Sequence, residues 1–353
     1  MKKIIYLCDL VHDFVGAYTY MFPLNVGYLA SYAKKEFGKH IEVKIFKFPR
    51  DYLDAISKKK PDLVGFSSYM WSANLNNELI KITKKMDNNI LTVSGGPHIK
   101  YDDSGLKEYF EKSEVDYFVP FQGETAFNLI IAMLLSNKKG VFEPLDGTFF
   151  NSRTEIIKGK TLPRIKDLET IPSPYLSGIL DPFFDTKLIP IIETNRGCPF
   201  RCTFCAQGLT SFNSVMYFSM ERVFEELDYV RKKVRNTNLL HFADANFGIK
   251  DRDIKIAKEV ARLRDKYGYP EKISSNMAKN RPPEKMIEIS KLLGNSQMVI
   301  SLQSLDDLVL DSVKRKNIKS SHFIDIIKNV NNEGGVSGTE IILGLPGETF
   351  KSH

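Results

Sequence analysis

One stretch constrains this chain more than any other: Ile192-Glu193-Thr194-Asn195-Arg196-Gly197-Cys198-Pro199-Phe200-Arg201-Cys202-Thr203-Phe204-Cys205. Three of the four cysteines fall here, spaced Cys198-x3-Cys202-x2-Cys205, directly after an apolar run. Arg196, Gly197, Pro199 and Arg201 make the loop polar and turning, a poor place to bury inert thiols. So tight a cluster is no disulfide framework and reads instead as a metal site. Structural zinc takes four protein ligands, and the remaining cysteine, Cys8, lies far away in the sequence. A zinc reading therefore needs a histidine, with His241 as the available choice. An iron–sulfur cubane with three cysteine ligands and one open iron fits the count best.

The 353 residues suggest two domains. Hydrophobic content of 42% and charged content of 26% suit a globular protein. No apolar run approaches the roughly 20 residues that cross a bilayer. The N-terminus resembles a short signal peptide, but Asp9, His12 and Asp13 interrupt it early, so it reads as a first strand of a cytoplasmic protein. The net charge of +7 comes from scattered Lys and Arg, as in Lys58-Lys59-Lys60, and reads as solvated helix ends. Neither a membrane nor a nucleic acid is expected as a partner.

Residues 1–135 alternate short apolar strands with helical patterns, the rhythm of a doubly wound parallel α/β sheet. Ligands of such sheets bind at the carboxyl ends of the strands. Those ends carry Asp9 to Gly16, Ser67-Ser68-Tyr69, Ser94-Gly95-Gly96-Pro97-His98 and Gln122-Gly123-Glu124. Glycines allow close backbone approach and hydroxyls bond buried polar groups, although each residue alone is ordinary for a loop. Residues 136–187 are Pro-rich without clear period and read as a connector, too apolar to be disordered.

A second alternation runs over 188–353. Strands are expected at Leu188 to Thr194, Leu239 to Asp244, Lys272 to Asn276, Met298 to Leu302 and Thr339 to Leu343. This is a β/α barrel rhythm, with chemistry at the strands' C-terminal ends. Ser219 suits an N-cap and Pro282-Pro283 a helix start. Five strands leave a barrel incomplete, so the chain reads as truncated at its C-terminus.

The cysteine loop resembles the radical SAM superfamily, whose signature is Cys-x3-Cys-x-aromatic-Cys. Cys198, Cys202, Phe204 and Cys205 match it position for position, in an Arg-Gly-Cys-Pro-Phe context typical of the cobalamin-dependent branch. The strand ends of residues 1–135 are similar to a flavodoxin-like, cobalamin-binding domain: Ser67 or Ser68 and Gly95-Gly96 match in order and rough spacing, and Pro97, Gly123 and Glu124 are expected beside them in the same site. The histidine motif departs from that family, Asp-x-His-x-x-Gly becoming Asp9-x-x-His12-x-x-x-Gly16, which puts cobalt ligation by His12 in doubt.

The resemblance implies a [4Fe-4S] cluster on Cys198, Cys202 and Cys205 whose open iron chelates S-adenosylmethionine (SAM). One-electron cleavage of SAM then gives a 5′-deoxyadenosyl radical that takes hydrogen from an unactivated carbon. Asp244, in Phe242-x-Asp244-x-Asn246-Phe247, is the expected acceptor for the methionine amino group, or else a helix cap. Asn276, Ser301 and Gln303 are expected polar contacts, while Phe204 and Leu345 of Gly344-Leu345-Pro346-Gly347 would lie near adenine. Arg196, Arg201 and Lys279 offer positive charge to a carboxylate or else to surface ion pairs. Cobalamin, a flavodoxin or ferredoxin donor and an organic substrate complete the expected set, with methylation, cyclisation or rearrangement as outcomes. A cobalamin-independent radical enzyme, or an inactive cofactor-binding fragment, would share the same cysteine loop.

Overall fold

The computed structural model describes residues 2–12, 20–99, 101–136, 142–209, 212–278 and 282–353. Gly16 and Lys279 lie outside the described residues. The chain divides into two compact units, 1–165 with 170–180, and 166–169 with 181–353.

In the first unit, β1 (Lys3–Cys8), α1 (Leu24–Phe37), β2 (Ile41–Phe46), α2 (Pro49–Lys58), β3 (Leu63–Ser67), α3 (Ala73–Met86), β4 (Leu91–Gly95), α4 (Asp103–Ser113), β5 (Tyr117–Val119) and α5 (Glu124–Ser136) alternate as expected. Strand β1 is the segment that could be mistaken for a signal peptide. The sheet order is β2-β1-β3-β4-β5, all parallel. Successive side chains of a strand face opposite sides, so Ile5 and Leu7 enter one core with Val26 and Phe127, and Tyr6 and Cys8 the other with Tyr52 and Phe110. Cys8 is fully buried, and desolvation raises its thiol pKa.

The segment read as a connector contributes structure of its own. Strands β6 (Phe149–Asn151) and β7 (Ile156–Lys158) form an antiparallel hairpin that extends the sheet from β5 to seven strands. Three-residue strands carry too little alternation to be recognised in a Pro-rich stretch.

In the second unit, β8 (Ile191–Ile192), β9 (Asn195–Arg196), β10 (Met216–Tyr217), α6 (Met220–Lys233), β11 (Leu239–Phe247), α7 (Asp251–Tyr267), β12 (Lys272–Met277), α8 (Pro283–Leu293), β13 (Ser296–Val299), α9 (Asp307–Ser312), α10 (Ser320–Asn332) and β14 (Val336–Gly338) follow in order. Five strands make a parallel β/α partial barrel ordered β14-β13-β12-β11-β8, and β9 pairs with β10 in a separate antiparallel ladder. Ser219 caps α6 by accepting from the Arg222 amide, and Pro283 opens α8. The last two strands are displaced from the expected segments: β13 ends at Val299 rather than Leu302, and β14 lies wholly before the expected Thr339 to Leu343, where among the described residues Gln303 and Ile341 form an isolated bridge. Among the described residues no helix is long and apolar enough to cross a membrane.

One ion pair anchors the first unit. Lys84 and Asp116 are both buried, 2.5 Å apart, and Asp116 also receives the Thr92 amide and hydroxyl and the Arg153 guanidinium. Removing Lys84 takes the buried cation from one carboxylate oxygen of Asp116 and leaves only the Thr92 donors on it, with the partly exposed Arg153 on the other. We predict that Lys84→Met destabilises this unit by roughly 3 kcal/mol in a denaturant titration. Lys112→Ala, which breaks only the exposed pair with Glu108, changes stability by less than about 1 kcal/mol.

Candidate active site and metal centre

The cysteine loop begins where β8 and β9 meet the side chain of Asp244 on β11. Asp244 is fully buried. One carboxylate oxygen accepts the Thr194 amide at 2.7 Å and the Asn195 amide at 3.3 Å. The other accepts the Thr194 hydroxyl and, at 2.6 Å, the Asn195 side-chain amide. Burial pushes the carboxyl up to about 7, against the pull of the Thr194 donors and with added repulsion from Asp253 and Glu193. Both oxygens are thus engaged. The Asp244 carboxyl is turned into the strand junction, where an amino group would compete with the Thr194 and Asn195 donors for it. It does not cap the next helix, since Asp253 accepts the Gly248 and Lys250 amides there.

From that junction the loop is fixed atom by atom. Gly197 has φ of +116°, and a Cβ there would overlap the Ser214 carbonyl. The Cys198 amide donates to Phe212 O at 2.9 Å, and the Thr203 amide to Val313 O at 3.1 Å. The Cys205 amide donates to Cys202 O, and the Gly208 amide to Cys205 O, winding the loop back on itself. Gly208 packs so closely on Cys202 that a Cβ would overlap its carbonyl.

Among the described residues, two side chains reach the sulfurs. Buried Asn246, also on β11, donates its Nδ2 to Cys198 Sγ at 3.2 Å. Buried Arg315 places Nη1 3.9 Å from Cys202 Sγ. Cys198 and Cys202 are buried, and Cys205 is half-buried. Donors aimed at sulfur, a backbone cradle with no room for side chains, and partly open thiols suit thiolates around an iron–sulfur cluster. Among the described residues no three His, Cys, Asp or Glu side chains converge on a point that one metal ion could occupy. A cubane spreads its thiolates over several irons, so this geometry bears on the single-ion zinc reading and leaves the cluster reading untouched. His241, the alternative zinc ligand, has an enclosed Nδ1 without a partner, and desolvation pulls its pKa down to about 4.

The other expected SAM contacts divide. Phe204 is 37% exposed beside the thiols in sequence, and Asn276 is exposed at the end of β12. Ser301 donates to Glu340 at 2.6 Å, and Gln303, at φ +69°, lies 3.4 Å from the same carboxylate oxygen. Sequence reading missed exposed Glu340, which lies beyond β14 and joins the two residues it had singled out. Leu345 is buried with Val309 and Val313, and Gly344 and Gly347 adopt the left-handed conformation of ordinary turns. Arg196 pairs with Glu193 at 2.9 Å in a partly buried ion pair, and Arg201 is exposed.

At the strand ends of the first unit, the two candidate serines behave differently. Ser67 Oγ accepts from Asn25, which also reaches Asp9, itself paired with buried Lys47. Ser68 Oγ is buried without a hydrogen bond of normal geometry, although the Tyr109 hydroxyl is nearby. Gly96, at φ +133°, sits so close to Ser68 that a Cβ would overlap its carbonyl, and the Ser68 amide donates to Gly95 O at 2.7 Å. Pro97 is exposed, Gly123 half-buried, and Glu124 buried at the start of α5. Gln122, which sequence reading passed over as a ligand, has a buried Nε2 without a partner. Two orphaned polar atoms beside a glycine cradle suit a polar cofactor running along these loops. His12 Nε2 donates to Trp71 O at 3.1 Å, so that nitrogen is already in use.

Residues 192–352 match the family described as the Radical SAM superfamily, and residues 15–131 match the B12 binding domain. The cobalamin-dependent radical SAM methyltransferase TokK of Streptomyces tokunonensis is 32% identical, over 96% of this chain and 51% of that protein. The 2-(S-pantetheinyl)-carbapenam-3-carboxylate methyltransferase of Streptantibioticus cattleyicolor is 31% identical, over 94% of this chain and 50% of that one. The chain thus spans about half the length of these curated relatives. Among solved structures, the radical S-adenosylmethionine methyltransferase TsrM of Kitasatospora setae, with cobalamin and a [4Fe-4S] cluster bound, shares the fold. Its TM-score is 0.74 at 14% identity, over all of this chain and 69% of that one.

The raised pKa of Asp244 gives a testable slope. The folded state holds a proton that the unfolded state releases near its usual carboxylate value, 3.8. The stability this confers is present below that value and is lost as pH rises to about 7. In thermal or denaturant melts, Asp244→Asn gains on wild type by about 1 kcal/mol per pH unit across that window. A difference between the two that stays flat with pH contradicts the assignment.

Proposed function

Because this chain belongs to the radical SAM superfamily and carries a B12-binding domain ahead of its radical SAM domain, we propose that it supports cobalamin-dependent radical chemistry on an unactivated carbon of an organic substrate. The observation that carries this reading is the cysteine loop itself: three thiols on a backbone cradle, two of them met by buried donors. Cys198, Cys202 and Cys205 hold the cluster, and the thiol count leaves one iron for the amino and carboxylate groups of SAM. When bound, the cluster supplies the electron that cleaves SAM reductively, and cobalamin supplies a centre for methyl transfer.

The chain's own residues position and enclose. Asp244 fixes the entry to the loop, and Gly197 and Gly208 let backbone approach the thiols closely. Phe204 offers an exposed aromatic face to adenine, and Asn276, with the Ser301–Gln303–Glu340 group, offers polar contacts to the rest of SAM. Ser68, Gly95, Gly96, Pro97, Gly123 and Glu124 form the cobalamin surface, to which Gln122 adds a donor. His12 Nε2 is engaged by the Trp71 carbonyl, and we do not assign His12 as the cobalt ligand. Among the possible outcomes we favour methylation, because both curated relatives above 30% identity are named as methyltransferases. The electron comes from a flavodoxin- or ferredoxin-type donor.

Anaerobic reconstitution with iron, sulfide and cobalamin tests this. The wild-type chain takes up both, cleaves SAM to 5′-deoxyadenosine under a low-potential reductant, and yields S-adenosylhomocysteine when cobalamin accepts the methyl group. Cys202→Ala loses most of its iron, and with it SAM cleavage. A full cluster with no bound cobalamin would instead favour a radical enzyme independent of cobalamin. A normal cubane in Cys202→Ala would overturn the ligand assignment.

A further inference from the structure

Two of the three thiols are addressed by buried donors that come from distant parts of the chain. Asn246 follows Asp244 by two residues on β11, and its amide nitrogen lies 3.2 Å from Cys198 Sγ. Arg315 comes from the segment after α9, 113 residues from the cysteine it approaches. Arg315 as a whole is 7% exposed. Nε donates to Asn317 Oδ1 at 2.9 Å and to Leu302 O at 3.3 Å, and Nη2 donates to Ser301 O. Nη1 is directed at Cys202 Sγ. Every one of these acceptors is a carbonyl oxygen or sulfur, and none is a carboxylate. A buried cation without a carboxylate is expensive to maintain, and burial of Arg without a paired anion is rare.

Resting on the assignment of Cys198, Cys202 and Cys205 as cluster ligands, we propose that Arg315 and Asn246 are electrostatic positioning residues that raise the cluster's reduction potential by donating to the Cys202 and Cys198 sulfurs. The missing countercharge for Arg315 is then the cluster with its thiolates. One-electron reduction adds a negative charge to that centre. A positive charge and N–H donors facing the sulfurs stabilise the reduced form more than the oxidised one, and both net charge and hydrogen bonds to sulfur tune such potentials. Arg315 also ties the backbone after β13, at Ser301 and Leu302, to the cysteine loop. The strand end that carries the expected polar contacts to SAM is therefore physically coupled to a cluster ligand.

The test is a redox titration of the reconstituted full chain, followed by electron paramagnetic resonance, without SAM or substrate. Iron content and circular dichroism are measured on every variant. Asn246→Leu keeps the side-chain volume and removes the donor, while Arg315→Gln removes the charge and Arg315→Lys keeps it. Asn246→Leu and Arg315→Gln each lower the reduced-to-oxidised ratio at fixed potential about tenfold, a shift of about 59 mV for a one-electron couple, and Arg315→Lys retains most of the wild-type value. Unchanged potentials in variants with full iron and native dichroism overturn the proposal. If Arg315→Gln fails to fold, Asn246→Leu decides it, since the Asn246 amide nitrogen donates to sulfur alone among the described residues. A wild-type chain that binds no cluster overturns the ligand assignment itself, and this inference with it.

Discussion

A buried carboxylate holds the reactive loop of this protein in place. Asp244 reaches from β11 and takes up four donors from Thr194 and Asn195, just ahead of Cys198. Replacing it with an apolar residue would leave those donors unsatisfied in the interior, at about 1–3 kcal/mol for each group stranded. The carboxylate costs energy to bury, as its raised pKa records. Its return is geometric: it fixes the start of the loop that carries Cys198, Cys202 and Cys205. Two residues further along the same strand, Asn246 reaches the first of those thiols, so one strand sets both the entrance to the loop and part of its electrostatics.

The backbone completes what Asp244 begins. Close passages at Gly197 and Gly208 leave no room for a side chain, and amide-to-carbonyl bonds from Cys198, Thr203, Cys205 and Gly208 tie the loop to itself and to the end of α9. The first unit uses the same device. Gly96 presses against Ser68, and the orphaned atoms of Ser68 and Gln122 are left at the carboxyl edge of its parallel sheet. Buried polar groups normally find partners, so orphans grouped at the edge where such sheets bind ligands mark a cofactor surface better than any single residue type does.

Much of this was legible in the sequence. The parallel alternation of the first unit and the N-cap at Ser219 are local patterns and appear where those patterns predict, whereas the fourth and fifth strands of the second unit lie earlier than their apolar runs suggest. What stayed hidden depends on tertiary placement. The Asp244 motif was noticed, but sequence could not reveal that its carboxylate turns inward to Thr194. Arg315 carries no local signal, because its partners lie as far as 113 residues away. Glu340 falls in a segment that reads as a strand, and Gln122 reads as an ordinary loop residue, until the fold places them. The β6–β7 hairpin escaped notice because three-residue strands show almost no periodicity, and pairing with β5 gives them their structure.

The central claim is that three cysteines leave one iron of a cubane free for SAM. Mössbauer spectroscopy of the chain reconstituted with iron-57, before and after addition of SAM, tests it most directly. The account predicts that one iron in four becomes spectroscopically distinct when SAM is added, while the other three do not change. Four irons that all ignore SAM, or a spectrum without a cubane, would contradict it.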